Sequence, residues 1–209
     1  MLNKEPSPER ARLGFKEAVL SSFQFLNDAG LRPVQQEMTF VRYESPEIFV
    51  NVYHGRASFE LGVEIGRLRE PQSKLTLYDI VAWAGAEKAE GLGEHVAFQV
   101  SSREGVQEFV PKLAELVKQH AAPFLRGDDA AFDSALEIQS ERARDYAKGV
   151  NLRQVRQKAE AAWHTKDYAQ VVELYGPVRD DLDEVEAKKL AYAEQQVAEG
   201  VGSRSSRKR

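Results

Sequence analysis

Phe15, Val19, Phe23 and Leu26 recur at helical spacing, and Gly30 follows as a natural stop. Ser7 stands before Pro8 as an N-cap ahead of a proline at the first helical position. The spacing predicts an amphipathic helix over about 8–29. The pattern then changes. Residues 34–43 are rich in Gln, Thr, Val, Phe and Tyr, and Glu44-Ser45-Pro46 punctuates them. Residues 48–54 and 58–68 follow, joined at His54-Gly55-Arg56. The last run alternates, with Phe59, Leu61, Val63 and Ile65 on one face and Ser58, Glu60, Gly62 and Glu64 on the other. That is the period-2 signature of a half-buried strand. Three successive strands with short turns make an antiparallel meander, and the first helix is expected to cover its apolar face.

Pro71-Gln72-Ser73 reads as a loop. Thr76-Leu77-Tyr78-Asp79 resembles a capping box with Asp in place of the usual Glu. It opens a predicted helix to about residue 90, with Leu77, Ile80, Val81 and Ala84 as its buried stripe. Gly91-Leu92-Gly93 ends that helix, and residues 95–101 predict a fourth strand. From residue 102 the pattern is helical throughout. Val106, Phe109, Val110, Leu113, Leu116 and Val117 form one stripe, with Pro111 expected to kink it or mark its true start. Pro123 ends it, Asp128 or Asp129 caps the next helix with Phe132 and Leu136 inward, and Asn151 caps another. The fold class is therefore α+β: an amino-terminal helix and antiparallel meander, then an all-helical half. The expected organisation is an α+β domain at 1–101, a helical domain at 102–199, and a disordered basic tail at 200–209.

Within the helical half, Asp167-Tyr168 forms a short turn between two helical runs, Val171 follows three positions later, and Tyr175 four beyond that. Ala159 supplies a small residue in the preceding run, and Leu190 and Ala193 fall near the start of a further unit at a period of about 34 residues. With these residues the segment 151–193 resembles a tetratricopeptide-type helical hairpin. The resemblance implies protein contacts. Gly176-Pro177 falls where the second helix would continue, so that helix is expected to be cut short. About one and a half units are present, whereas a stable solenoid needs about three. The hairpin geometry is carried over, and the family's peptide-binding groove is not. The layout of the amino-terminal half is loosely similar, in architecture only, to the small bacterial immunity proteins that neutralise toxins.

Composition narrows the chemistry. The 209 residues include no cysteine, which removes disulfides, thiolate nucleophiles and iron–sulfur ligation. The same absence fits a reducing cytoplasm. No segment approaches the roughly 20 apolar residues of a membrane span. The opening MLNKEPSPERARLGF has no apolar core of the kind a secretory leader needs. The net charge is −4, yet the last ten residues carry Arg204, Arg207, Lys208 and Arg209 and no acid. The preceding 199 residues hold 25 basic against 33 acidic side chains. An acidic body argues against a duplex-coating protein, which needs clustered Lys and Arg.

Catalytic motifs are missing. There is no glycine-rich phosphate loop, no Gly-x-Ser-x-Gly elbow and no His-Glu-x-x-His. His54, His95, His120 and His164 are scattered, so neither a metal site nor a cofactor is expected. Glu60 and Glu64 share a strand face at roughly 13 Å, too far for a glycosidase pair. Beside them Asn51 and Tyr53, with Arg42 or Tyr43, form a candidate partner-binding face with His54 and Arg56 at its tip. The alternative is that the helical half covers this face and the tyrosines are plain core. Arg142, Arg144, Lys148, Arg153, Arg156 and Lys158 form a basic segment, followed by an acidic run at Asp180, Asp181, Asp183, Glu184 and Glu186. These two segments either pair within the chain or leave a basic patch for an acidic protein or RNA. Three functions stay open: a cytoplasmic non-enzymatic binding protein, with the toxin-neutralising kind as one form; a nucleic-acid-associated protein using 142–158 and the tail; and an enzyme using Glu60, Glu64, Tyr53 and His54 between the two halves.

Overall fold

Gly14 decides how the chain begins. It adopts φ +68°, left-handed backbone that costs glycine little, and serves as the N-cap of a new helix. The helix expected over 8–29 is therefore three: α1 (Pro8–Ala11), α2 (Phe15–Ser22) and α3 (Phe25–Asp28). Phe15, Val19, Phe23 and Leu26 are all buried, so the apolar spacing holds although the helix is interrupted. The computed structural model describes residues 8–55, 58–85 and 98–205.

The strand expected over 34–43 is a hairpin, β1 (Arg32–Glu37) and β2 (Phe40–Glu44), turning at Met38-Thr39. Then come β3 (Ile48–His54), β4 (Glu60–Arg67) and the short β5 (Lys74–Thr76). They pair antiparallel in the order β1-β2-β3-β4-β5. β1 carries Pro33 and an irregularity in register between Pro33 and Gln35. Phe59, expected inside the strand, precedes it at φ +55° and is 37% exposed.

Thr76 opens α4 (Leu77–Trp83) with the reciprocal bonds the sequence suggested. The Asp79 amide donates to Thr76 Oγ1 at 3.3 Å, and the Thr76 amide donates to Asp79 Oδ2 at 2.9 Å. Ala84 closes α4 and is exposed, and Ala82 rather than Ala84 joins the buried stripe. The helix therefore stops at Trp83, with Ala84 and Gly85 in a turn, and does not run on to residue 90 as expected. The stop expected at 91–93 and the start of the fourth strand lie outside the described residues. Its described part is β6 (Phe98–Gln99), paired with β4.

Ser102 caps α5 (Arg103–His120), accepting the Gly105 amide at 3.1 Å, so Pro111 lies inside the helix and does not start it. Val106, Val110, Leu113, Leu116 and Val117 are buried. α6 (Ala122–Leu125) follows, with Pro123 in its first turn. Asp128 accepts the Ala131 amide at 3.2 Å and starts α7 (Asp129–His164). The inner sheet face (Val41, Tyr43, Val50, Val52, Leu61, Val63, Ile65) shares one core with α2, α4, α5 and the first turns of α7. A sheet with one apolar face has to bury it, and α5 supplies much of the cover. The division into compact units consequently falls between residues 140 and 141, not between 101 and 102.

In the second unit, Asn151 lies within α7 and caps nothing. α7 ends at His164, and Asp167 accepts the Gln170 amide at 3.1 Å to start α8 (Tyr168–Tyr175). Gly176-Pro177 stops α8 in favour of a 3-10 segment, Gly176–Asp181, and α9 (Glu184–Ser205) follows. Ala159, Ala162, Val171, Tyr175, Leu190 and Ala193 form the core of this unit. The residues that carried the tetratricopeptide resemblance are thus among those that hold α7, α8 and α9 together. α9 runs on to Ser205, into the segment expected as a disordered tail, and residues 206–209 lie outside the description.

Candidate functional site

Strand register places two transverse rows on the sheet face away from the core. Gln35, Arg42, Asn51, Glu64 and Thr76 are successive cross-strand partners. Glu37, Phe40, Tyr53 and Gly62 form the next row. Side chains directly opposite on one face lie close enough to bond. In the first row Arg42 Nη1 donates to Asn51 Oδ1 at 3.1 Å. Asn51 Nδ2 donates to Glu64 Oε2 at 3.2 Å, and Lys74 Nζ donates to the same oxygen at 2.7 Å. Arg42 also pairs with Glu44. Arg42, Asn51 and Glu64 are therefore linked by hydrogen bonds at the centre of the row, with Asn51 buried among them. In the second row Phe40 and Tyr53 are half-buried side by side.

The structure thus brings Arg42, Asn51, Tyr53, Glu60 and Glu64 onto one face. It separates Tyr43 and His54 from them. Successive strand residues point to opposite faces, so Tyr43 cannot accompany Arg42, nor His54 accompany Tyr53. Tyr43 is 1% exposed in the core, and burial pushes its phenol up to about 12. Its hydroxyl has no hydrogen-bond partner among the described residues. His54 is buried, stacked on Phe15 with ring centroids 5.8 Å apart, and Nε2 donates to the Val100 carbonyl at 2.7 Å. Burial lowers its pKa, the Val100 carbonyl opposes that, and the Arg10 charge lowers it further. The four residues of the enzyme hypothesis are thus split between two faces of the sheet. Arg56 lies outside the described residues.

Tyr53 is also pushed up to about 12, by burial first and then by the Glu64 and Glu60 charges. Of these two carboxylates, Glu64 is itself paired with Lys74. Four contributors were not singled out from sequence: Phe40, Phe49, Gly62 and Gly66. The glycines alternate on the polar face of β4, which was a visible signal, but their partners on β3 depend on register.

The basic segment is partly answered within its own unit. Lys148 Nζ lies 2.7 Å from Asp181 Oδ1. Arg156 Nε lies 2.7 Å from Glu186 Oε1, and Nη2 donates to Oε2 at 3.0 Å. Arg142 and Arg144 also have interaction partners. Arg153 and Lys158 are exposed. Among the described residues no group of three metal-ligating side chains gathers, and no helix is long and apolar enough to cross a membrane. No protein-family model, curated protein or solved structure matches the chain.

Proposed function

We propose that this chain is a cytoplasmic, non-enzymatic protein-binding module that uses the outer face of its sheet. One observation carries this: Phe40 and Tyr53 stand half-buried beside a polar row whose members are tied to one another. Aromatic side chains anchor protein-recognition surfaces, and the polar side chains beside them are already held in place by their own hydrogen bonds. An inhibitory complex of the immunity-protein kind is one instance of such binding. The hairpin in residues 151–193 offers a second contact surface.

The test is capture of a stoichiometric complex from the source cells, weighed intact by native mass spectrometry after nuclease and high salt. The wild-type chain should recover one discrete protein, and Tyr53→Asp should lose it while keeping its far-ultraviolet circular dichroism. Saturating capture that yields no protein overturns the proposal. Nucleic-acid binding through residues 142–158 and the tail has less support, because Lys148 and Arg156 are engaged with Asp181 and Glu186. Co-purifying nucleic acid, released by salt and by charge reversal at Arg153 and Arg156, would put it first.

A further inference from the structure

Two aromatic rings of β3 lie across two glycines of β4 on the outer face. Phe49 is paired with Gly66, and Tyr53 with Gly62. A Cβ built on Gly66 would fall 2.5 Å from Phe49 Cζ, and one on Gly62 would fall 2.3 Å from Tyr53 Cζ. Each ring therefore occupies the space a side chain on β4 would need, with its other side turned away from that strand.

The first of these slots is complete. The Arg42 guanidinium carbon lies 4.0 Å from the centre of the Phe49 ring, and Glu44 pairs with the same guanidinium. Phe49 is left 1% exposed. The second slot sets a phenol, Tyr53, on the same kind of glycine, with carboxylates nearby. Glu60 and Glu64 both act on the Tyr53 phenol, and Glu37 ends its row. Among the described residues no cation lies over the Tyr53 ring. A cavity of about 420 Å³ opens beside Tyr53, toward Thr39 and Gly55, with Gln35, Glu37 and Phe40 in its lining.

We propose that the Tyr53 ring, flanked by Glu37 and Glu60, receives the guanidinium of an arginine-bearing segment of a partner protein, as Phe49 receives Arg42. The proposal rests on the protein-binding function above and names its partner's chemistry. Ring face and carboxylates both favour a cation. Guanidinium is favoured over ammonium because it is planar, stacks on the ring and forks toward carboxylates.

The test uses the full chain, labelled with nitrogen-15, titrated with hexa-arginine, hexa-lysine and hexa-glutamate peptides at physiological salt. Hexa-arginine should shift the amides of Glu37, Phe40, Tyr53 and Gly62, and should bind more tightly than hexa-lysine. Tyr53→Leu keeps an apolar cover over Gly62 and removes the aromatic face. It should weaken hexa-arginine by about fivefold and bring it level with hexa-lysine. Shifts confined to the acidic run at 180–186, equal binding of the two basic peptides by the wild type, or preference for hexa-glutamate would each overturn the assignment. So would unchanged hexa-arginine binding by Tyr53→Leu. If Tyr53→Asp loses the captured partner while hexa-arginine ignores Tyr53, the protein-binding function stands and the arginine assignment falls.

Discussion

Substituting alanine at Gly66 and at Gly62 should separate two slots that look alike. At Gly66 the new Cβ meets Phe49 Cζ at 2.5 Å, Cε1 at 2.8 Å and Lys74 Cβ at 3.3 Å. Phe49 cannot withdraw, because Arg42 closes its other face and the ring is buried. Overpacking of this kind costs about 1–3 kcal/mol. Replacing a strand glycine by alanine returns roughly 0.5–1 kcal/mol through the unfolded chain. Gly66→Ala should therefore lose about 1–2 kcal/mol net. At about 3 °C per kcal/mol for a unit of this size, the midpoint should fall by several degrees. At Gly62 the Cβ meets Tyr53 Cζ at 2.3 Å, but Tyr53 is half-buried and its ring can swing outward. There the two terms nearly cancel. The assay is thermal unfolding followed by Trp83 fluorescence in a Trp163→Phe background, since Trp83 belongs to the sheet unit and Trp163 to the other. Equal losses from the two substitutions, or a Gly66→Ala variant as stable as the parent, would refute the reasoning.

Three further outcomes are expected. His54 is held below its ordinary value by burial, so the unfolded chain binds its proton first as pH falls. Stability should hold above pH 6.5 and decline below it, and thermal melts of His54→Gln should lose that acid limb. Tyrosinate absorbance should show Tyr53 ionising near 12, with Glu60→Gln and Glu64→Gln together lowering it, while Tyr43, raised by burial alone, stays near 12. Ala159 is fully buried among Val171, Tyr175 and Leu190, so Ala159→Leu should cost the second unit about 1–3 kcal/mol in melts read by Trp163, leaving the Trp83 transition in place.

Much of this architecture was legible in the chain itself. The alternation from Leu61 to Ile65, the Thr76–Asp79 capping box and the stripe from Val106 to Val117 all correspond to observed elements. The hairpin turn at Met38-Thr39 was not, because neither residue carries the turn chemistry of Gly, Asn, Asp or Pro. Asn151 read as a cap because Asn competes for backbone donors, yet α7 runs through it. The boundary at residue 102 followed a change of composition, but the sheet's inner face was still uncovered there and needed α5. At the candidate site, strand alternation alone was enough to part Tyr43 from Arg42 and His54 from Tyr53. The ring-on-glycine slots were out of reach, since they exist only once β3 and β4 adopt their register.

The margins of the sheet bear on how the protein behaves when crowded. An unpaired strand edge invites further strands, and unchecked addition leads to fibrils. β1 meets that hazard with Pro33, which has no amide proton, with a shifted register beside it, and with charges at both ends, Arg32 and Glu37. β5 and β6 share the other edge, beside β4, and among the described residues are three and two residues long, too short to template a stable addition. Backbone zippering is thus discouraged at both edges, and self-assembly by sheet extension should stay suppressed at high concentration.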